Sequence, residues 1–288
     1  DALPIYKQGK TRKKSERTIE DYQKLVVEDE RETENEYESE YRGKVQNQKS
    51  ELKPMPLYVL TYYKKVSQVN GYTAYASVVD SLNNSHVLPS ELFLSAQERT
   101  LSEQQVERHL SAIDSLADKI GAQPTNHVLL FQRAMDYYHV KDFEGAIADI
   151  NAFLQALPSD VLGLWLRAQS RMALLQANAK QAAASDLRLG YLMAQQDFTQ
   201  CVSLCPQMAY AHYNLGAVQM ELGEVELAVA SYTKAIECDP HFPDAYYNRG
   251  VANLKLGRKE QGLSDLSQAG EYGLYHAYSL IKQYSANK

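Results

Sequence analysis

Three cysteines, one carboxylate–imidazole spacing and one basic cluster are the places where this chain of 288 residues could do chemistry. Cys201 and Cys205 stand four apart, one helical turn, and Cys238 lies farther on. A metal would need a fourth ligand converging on them, so small packing residues are the expected role. An odd number of cysteines also makes no disulfide framework. Asp136 and His139 could meet across one helical turn, but a base without a nucleophile is not a mechanism. The sequence holds no Gly-rich phosphate loop, no His-Glu-x-x-His and no Cys-x-x-Cys. No catalytic residue, metal or cofactor is therefore expected, and the chain reads as a non-enzyme.

Charge narrows the partners. The net charge is −6, which argues against a general polyanion binder, and no nucleic-acid partner is expected. Lys7, Lys10, Arg12, Lys13, Lys14 and Arg17 cluster, but a run of Glu and Asp from Glu28 to Glu40 follows them. Intramolecular charge pairing on a solvated helix, about residues 16–41, accounts for both. No apolar run approaches the roughly 18 residues that span a bilayer. The compositional oddity is tyrosine, 21 against 6 Phe and 1 Trp. A side chain with an apolar body and a polar tip suits surfaces packed on one side and wet on the other.

The elements that must position these residues fall into unlike parts. Residues 1–53 carry twelve basic and thirteen acidic side chains and cannot bury enough surface to fold unaided. Residues 54–100 read as a small β-α-β unit. Leu57–Tyr63, behind Pro54 and Pro56, suits a strand buried on both faces, and Glu91–Ser95 suits a second. Between them Gly71 opens a helical pattern through Tyr72, Tyr75, Val78, Val79 and Leu82. Residues 43–51 are a candidate third strand. From Leu101 the pattern is helical, with a Ser102–Gln105 capping box and a stripe of Val106, Leu110, Ile113, Leu116, Ala117 and Ile120.

A fixed period of 34 then organises the rest. Tyr213-Asn214 aligns with Tyr247-Asn248, Gly216 with Gly250, Leu222-Gly223 with Leu256-Gly257, and Ala235 with Ala269. Units 209–242 and 243–276 carry it, and 127–160 repeats it through Ala134, Lys141-Asp142-Phe143, Ala146, Ile150 and Phe153. The unit 161–208 is fourteen residues longer, which predicts an extension of one or both helices around Gln176–Gly190 with a loop between. Gly223 and Gly257 fit first-helix ends that need positive φ, and Pro158, Pro206 and Pro240 fit second-helix ends.

On these residues the chain resembles the tetratricopeptide repeat family, whose unit is an antiparallel helix pair. The fold implied is mainly α, an α-solenoid of about four helix pairs. A capping helix over 101–126 precedes it, a closing helix over Tyr275–Tyr284 ends it, and a small α/β or mixed segment stands in front. The resemblance implies a protein–protein interaction scaffold, with a protein or peptide partner, or the chain's own segments, lying in a concave groove. The groove-facing residues carried over are Phe131, Met135, Tyr138, His139, Trp165, Met172, Tyr210, Tyr213, Met220, Asp244, Tyr247 and Leu254. Some members clamp a partner's C-terminal carboxylates with lysine, asparagine and arginine. Asn214, Asn248 and Arg249 fit that pattern, but the first helices at 127–139 and 209–222 lack lysine, and Leu166 stands where an asparagine would help. A chaperone-tail adaptor is thus disfavoured.

Two alternatives stay open: a self-associating module, or a regulatory fragment of a larger envelope protein or enzyme. The chain begins at Asp1, which fits a processed protein or an excised piece. Residues 56–63 and Leu274–Tyr284 are similar to segments of secreted tetratricopeptide proteins of the Bacteroidetes type. That similarity implies the cell envelope or periplasm in preference to the cytoplasm.

Overall fold

The computed structural model describes residues 52–62, 68–69, 72–73, 75–77, 92–96 and 101–286. The charged helix expected over 16–41 and the strand expected over 43–51 lie outside them. Among the described residues ten helices follow one another, from α1 (Glu103–Ala122) through α2 (Val128–His139), α3 (Phe143–Ala156), α4 (Val161–Asn178) and α5 (Ala184–Leu204). Then come α6 (Ala209–Glu221), α7 (Val225–Cys238), α8 (Pro243–Lys255), α9 (Lys259–Glu271) and α10 (Ala277–Ala286). Helices α2/α3, α4/α5, α6/α7 and α8/α9 are the four pairs, each packed on the next.

The pairs close up where the sequence supplies small residues. A Cβ on Gly250 would come within 3.0 Å of the Gly262 carbonyl oxygen, backbone against backbone. Turns between first and second helices use the left-handed region, at Gly223 (φ 77°) and Gly257 (φ 75°). Lys141 occupies the same repeat position at φ 66°, a conformation that costs any residue with a Cβ about 1 kcal/mol or more. Second helices stop at Ala156, Leu204 and Cys238, two residues before the prolines at 158, 206 and 240. In the long unit both helices are extended, and the α5 extension exposes Leu189, Leu192 and Met193.

The ends differ from the middle. Helix α1 begins with the reciprocal Ser102–Gln105 capping box. Its buried face is narrower than the stripe: Ile113 and Leu116 are buried, Leu110 and Ala117 are exposed, and His109 takes a buried place. Helix α10 closes the array with Ala277, Tyr278, Leu280 and Ile281 buried, and the Tyr278 ring covers Gly270.

The segment before α1 is where expectation and structure part. Strands β1 (Val59–Thr61), β2 (Gln68–Val69), β3 (Tyr72–Thr73), β4 (Tyr75–Ser77) and β5 (Phe93–Ser95) include two in the stretch expected to be helical. Val69 pairs with Tyr72 in a β2–β3 hairpin, and β1, β5 and β4 form an antiparallel sheet in the order β1-β5-β4. The expected β-α-β unit is therefore corrected, among the described residues, to antiparallel strands. Asn70-Gly71 between Val69 and Tyr72 is the strongest short-range hairpin signal, and it outweighs the apparent 3.6 period of tyrosines that equally suit strands. In register, Leu60 faces Leu94 and Leu94 faces Ala76. Tyr58, Leu60, Leu92, Leu94 and Ala96 all join the helices in one core.

Candidate functional site: the concave groove and its resident strand

Residues 55–62 of the same chain lie against the first helices of the pairs, where the groove is expected. Three side-chain amides hold this segment, each gripping one residue's backbone at both ends. Asn248 Oδ1 accepts from the Met55 N–H at 2.6 Å, and its Nδ2 donates to the Met55 carbonyl at 3.3 Å. Asn214 does the same for Tyr58, at 2.9 and 2.7 Å. Gln169 does the same for Leu60, at 2.7 and 3.2 Å. A carboxamide carries a donor and an acceptor side by side, so it substitutes for a neighbouring strand. All three amides are almost completely buried, where an unmet polar group costs about 1–3 kcal/mol.

The segment runs from α8 to α6 to α4, against the order of the repeats. Leu60 turns its N–H and carbonyl to Gln169, so by alternation Val59 and Thr61 face β5. The strand is thus hydrogen-bonded on both edges, by a strand on one and by side chains on the other. Further polar contacts fix the backbone. Trp165 Nε1 donates to the Tyr58 carbonyl at 3.1 Å, and the Tyr213 hydroxyl donates to the Pro56 carbonyl at 2.9 Å. Asn248 Nδ2 also donates to that Tyr213 hydroxyl at 2.9 Å. Pro54 and Pro56 have no N–H, so the segment presents fewer donors that need a partner.

Tyr58 is the anchor. It has no exposed surface; its ring centroid lies 4.7 Å from Tyr210 and 5.4 Å from both Tyr213 and Phe242. Its hydroxyl donates to Asp244 Oδ2 at 2.7 Å. Burial pushes the Asp244 carboxyl up to about 6, opposed by that hydrogen bond and by its own backbone N–H. Burial likewise pushes the Tyr210 phenol up to about 12.

At the far end Thr61 and Tyr62 meet two histidines. His139 Nδ1 lies 2.7 Å from the Met135 carbonyl, which can only accept, so Nδ1 carries the proton. Nε2 then accepts from Thr61 Oγ1 at 3.3 Å. The Tyr62 and His109 rings stack on His139 at 5.3 and 4.9 Å. Burial drives His139 down to about 4, keeping it neutral. Asp136 does not pair with His139; it takes His109 Nδ1 of α1 at 2.7 Å, so the suspected one-turn dyad is instead a clasp between α1 and α2.

Of the residues carried over to the groove, His139, Trp165, Tyr210, Tyr213 and Asp244 touch the segment directly. Phe131 meets Phe153 within its own helix pair, and Tyr138 meets Phe143 at the turn between α2 and α3. Leu254 packs over Gly262 between α8 and α9. Tyr247 meets His276 near the closing helix. Met135, Met172 and Met220 are core side chains. Gln169 was missed, because register alone points to Leu166. It lies one helical turn farther along α4, and its longer side chain serves Leu60.

A second row of side chains repeats one residue after the groove row. Arg133 grips Asp149, Arg167 grips Asp197 and Arg249 grips Asp265, each through two hydrogen bonds between the helices of one pair. Arg171 adds a further bond to Asp197. The same register in the third pair holds Leu215 and Ser231, where Ser231 donates to Gln219 instead. Aligning units by period reveals this row: arginine recurs at 133, 167 and 249.

The cysteines form no centre. Cys201 is fully buried in α5 and its thiol is pushed up by burial. Cys238 points to the Pro206 carbonyl at 3.7 Å. Among the described residues no cluster of His, Cys, Asp or Glu could hold a metal ion, and no helix is long and apolar enough to cross a membrane.

Comparison with known proteins agrees with this architecture. Residues 219–257 match the family model described as TPR repeat. No curated protein matches the sequence. Among solved structures, a crystal structure of MamA superposes with a TM-score of 0.52 at 18% identity, covering 62% of this chain and 99% of that one. MamA from residue 41 onward of Desulfovibrio magneticus RS-1 gives a TM-score of 0.51 at 16% identity, covering 59% and 89%. At such identities the likeness is one of fold. The helical part of the chain is an α-solenoid of helix pairs, within which residues 219–257 match the TPR repeat.

Proposed function

We propose that this protein is a protein–protein interaction scaffold whose concave groove takes an extended polypeptide strand, with residues 55–62 as its resident occupant. The observation that carries this reading is the set of three amides, each bonded to both the N–H and the carbonyl of one strand residue. Backbone bonding of this kind gives affinity for any extended strand, while side-chain pockets give choice among them. The resident strand also mounts the β1-β5-β4 sheet on the solenoid, so groove and sheet form one binding unit. A partner strand enters where the resident segment leaves.

The experiment uses the full chain carrying Tyr58→Asp and Leu60→Asp, which places two charges in fully buried positions and drives the resident segment out. A labelled peptide of sequence 52–62 then binds this variant by fluorescence anisotropy, and Asn214→Ala in the same chain weakens it tenfold or more, for about 1.4 kcal/mol or more lost. Binding that ignores Asn214→Ala, or no binding at all, defeats the proposal.

A further inference from the structure

The groove holds its strand by backbone at Met55, Pro56, Tyr58 and Leu60, and meets strand side chains at Tyr58, Thr61 and Tyr62. The Tyr58 pocket is the one of these that pairs a buried carboxylate with a strand hydroxyl. Its walls are aromatic, Tyr210, Tyr213 and Phe242, and its floor is a carboxylate, Asp244. Asp244 is 3% exposed. It sits in the first turn of α8 behind Pro243, where the positive end of the helix dipole favours a negative charge. Its own backbone N–H supplies one contact. Among the described residues, none of the ion pairs involves it. The phenol of the bound strand is its side-chain donor.

An apolar box needs no carboxylate to hold an aromatic ring. A buried carboxylate facing the ring's tip is a cost unless an O–H arrives with the ligand. Sites built to hydrogen-bond a ligand hydroxyl turn away the analogue that lacks it, because the buried partner is then left unmet. A ligand with a phosphate at that tip fares worse, since a dianion would face Asp244 at contact distance.

We propose, on the reading of the groove given above, that this pocket is the specificity subsite. The partner it fits is an extended segment of the pattern Pro-x-Tyr-x-Leu, as in Pro56-Leu57-Tyr58-Val59-Leu60, with an unmodified tyrosine at its centre. Phenylalanine and phosphotyrosine at that position are rejected. Asp244 is the residue that imposes the rule, and Asn214, Asn248 and Gln169 are indifferent to it because what they bond on the strand is its backbone.

The test uses the full chain opened by Tyr58→Asp and Leu60→Asp, with three peptides of sequence 52–62: native, Tyr58→Phe, and native phosphorylated on the tyrosine. The native peptide binds best, the Tyr58→Phe peptide about 30-fold more weakly, as expected for about 2 kcal/mol of lost hydrogen bonding to a charged group, and the phosphopeptide weaker still. Adding Asp244→Leu abolishes the preference for native over Tyr58→Phe. Equal binding of native and Tyr58→Phe peptides overturns the subsite but leaves the groove reading intact. No binding of any peptide overturns both.

A second measurement needs no opened groove. In the otherwise unaltered chain, Tyr58→Phe speeds hydrogen exchange at the Leu60 amide about 30-fold, but has little effect once Asp244→Leu is present. The same acceleration in both backgrounds contradicts the proposal.

Discussion

Two rows of side chains run along the first helices of the pairs, one residue apart in sequence, and they obey different rules. Arg133, Arg167 and Arg249 keep the repeat register and reach Asp149, Asp197 and Asp265 across each pair. Asn248 and Asn214 keep it too, but the next member of the groove row is Gln169, one turn out of register. The arginine row bonds to the solenoid itself, whose geometry repeats. The amide row bonds to a strand, whose geometry has its own step. Neighbouring packed helices stand about 8–10 Å apart, and three extended residues span about 10 Å, so Met55 and Tyr58 fall to equivalent asparagines. Tyr58 and Leu60 are only two residues apart, about 7 Å, and a side chain from a different turn must meet Leu60. At Gln169 the departure from register marks where the strand, and not the repeat, sets the spacing.

Breaking each row separates their roles. Asp197→Ala is expected to have the largest effect, since it strands both Arg167 and Arg171 beside α5. The loss is about 3 kcal/mol of global stability, read by urea unfolding. Asn214→Ala costs about 1–3 kcal/mol, but it shows first as loss of amide protection in residues 55–61 with the helices still protected. If both variants unfold the whole chain in one transition with equal loss of segment protection, the two rows do not differ in kind.

Acid sharpens the comparison at two strand contacts, Thr61 with His139 and Tyr58 with Asp244. Neutral His139, held near 4 in the folded protein against 6.5 when unfolded, makes stability fall as pH drops from about 6.5 to 4. His276, also lowered by burial, acts in the same direction. Asp244, raised to about 6 from 3.8, binds its proton more tightly in the folded state and opposes that loss across the same range. His139→Gln should flatten the fall in unfolding free energy with acid, and Asp244→Asn should steepen it. The reverse order would contradict the buried settings of His139 and Asp244.

Smaller effects test the frame. Lys141→Gly, at the position where the third and fourth pairs use glycine, should stabilise by up to about 1 kcal/mol by relieving a left-handed backbone. Leu192→Lys on the exposed extension of α5 should change stability by less than about 0.5 kcal/mol. A large loss there would mean that the extension is packed against something.

The solenoid was legible because its constraints are local and periodic. Small residues where paired helices touch, as at Gly250 and Gly262, glycine at positive φ at 223 and 257, and proline two residues past three of the four second helices all mark the repeat. The sheet was less so. Tyr72 and Tyr75 carry a helix-like spacing, and only Asn70-Gly71 betrays the hairpin. The groove's occupant lies 193 residues from Asn248 in sequence, and no periodicity encodes a pairing that long. Tyr58, Tyr210 and Tyr213 now share one explanation: they form the strand's anchor and its pocket.

Native-state hydrogen exchange at the Met55, Tyr58 and Leu60 amides of the intact chain addresses the central claim most directly. These three N–H groups donate to Asn248, Asn214 and Gln169, so they are expected to exchange at least a hundredfold more slowly than in the isolated peptide 52–62, about 2.7 kcal/mol or more of opening free energy. Exchange at the rate of the free peptide, with α4, α6 and α8 protected, would show a groove without its resident strand and contradict the account.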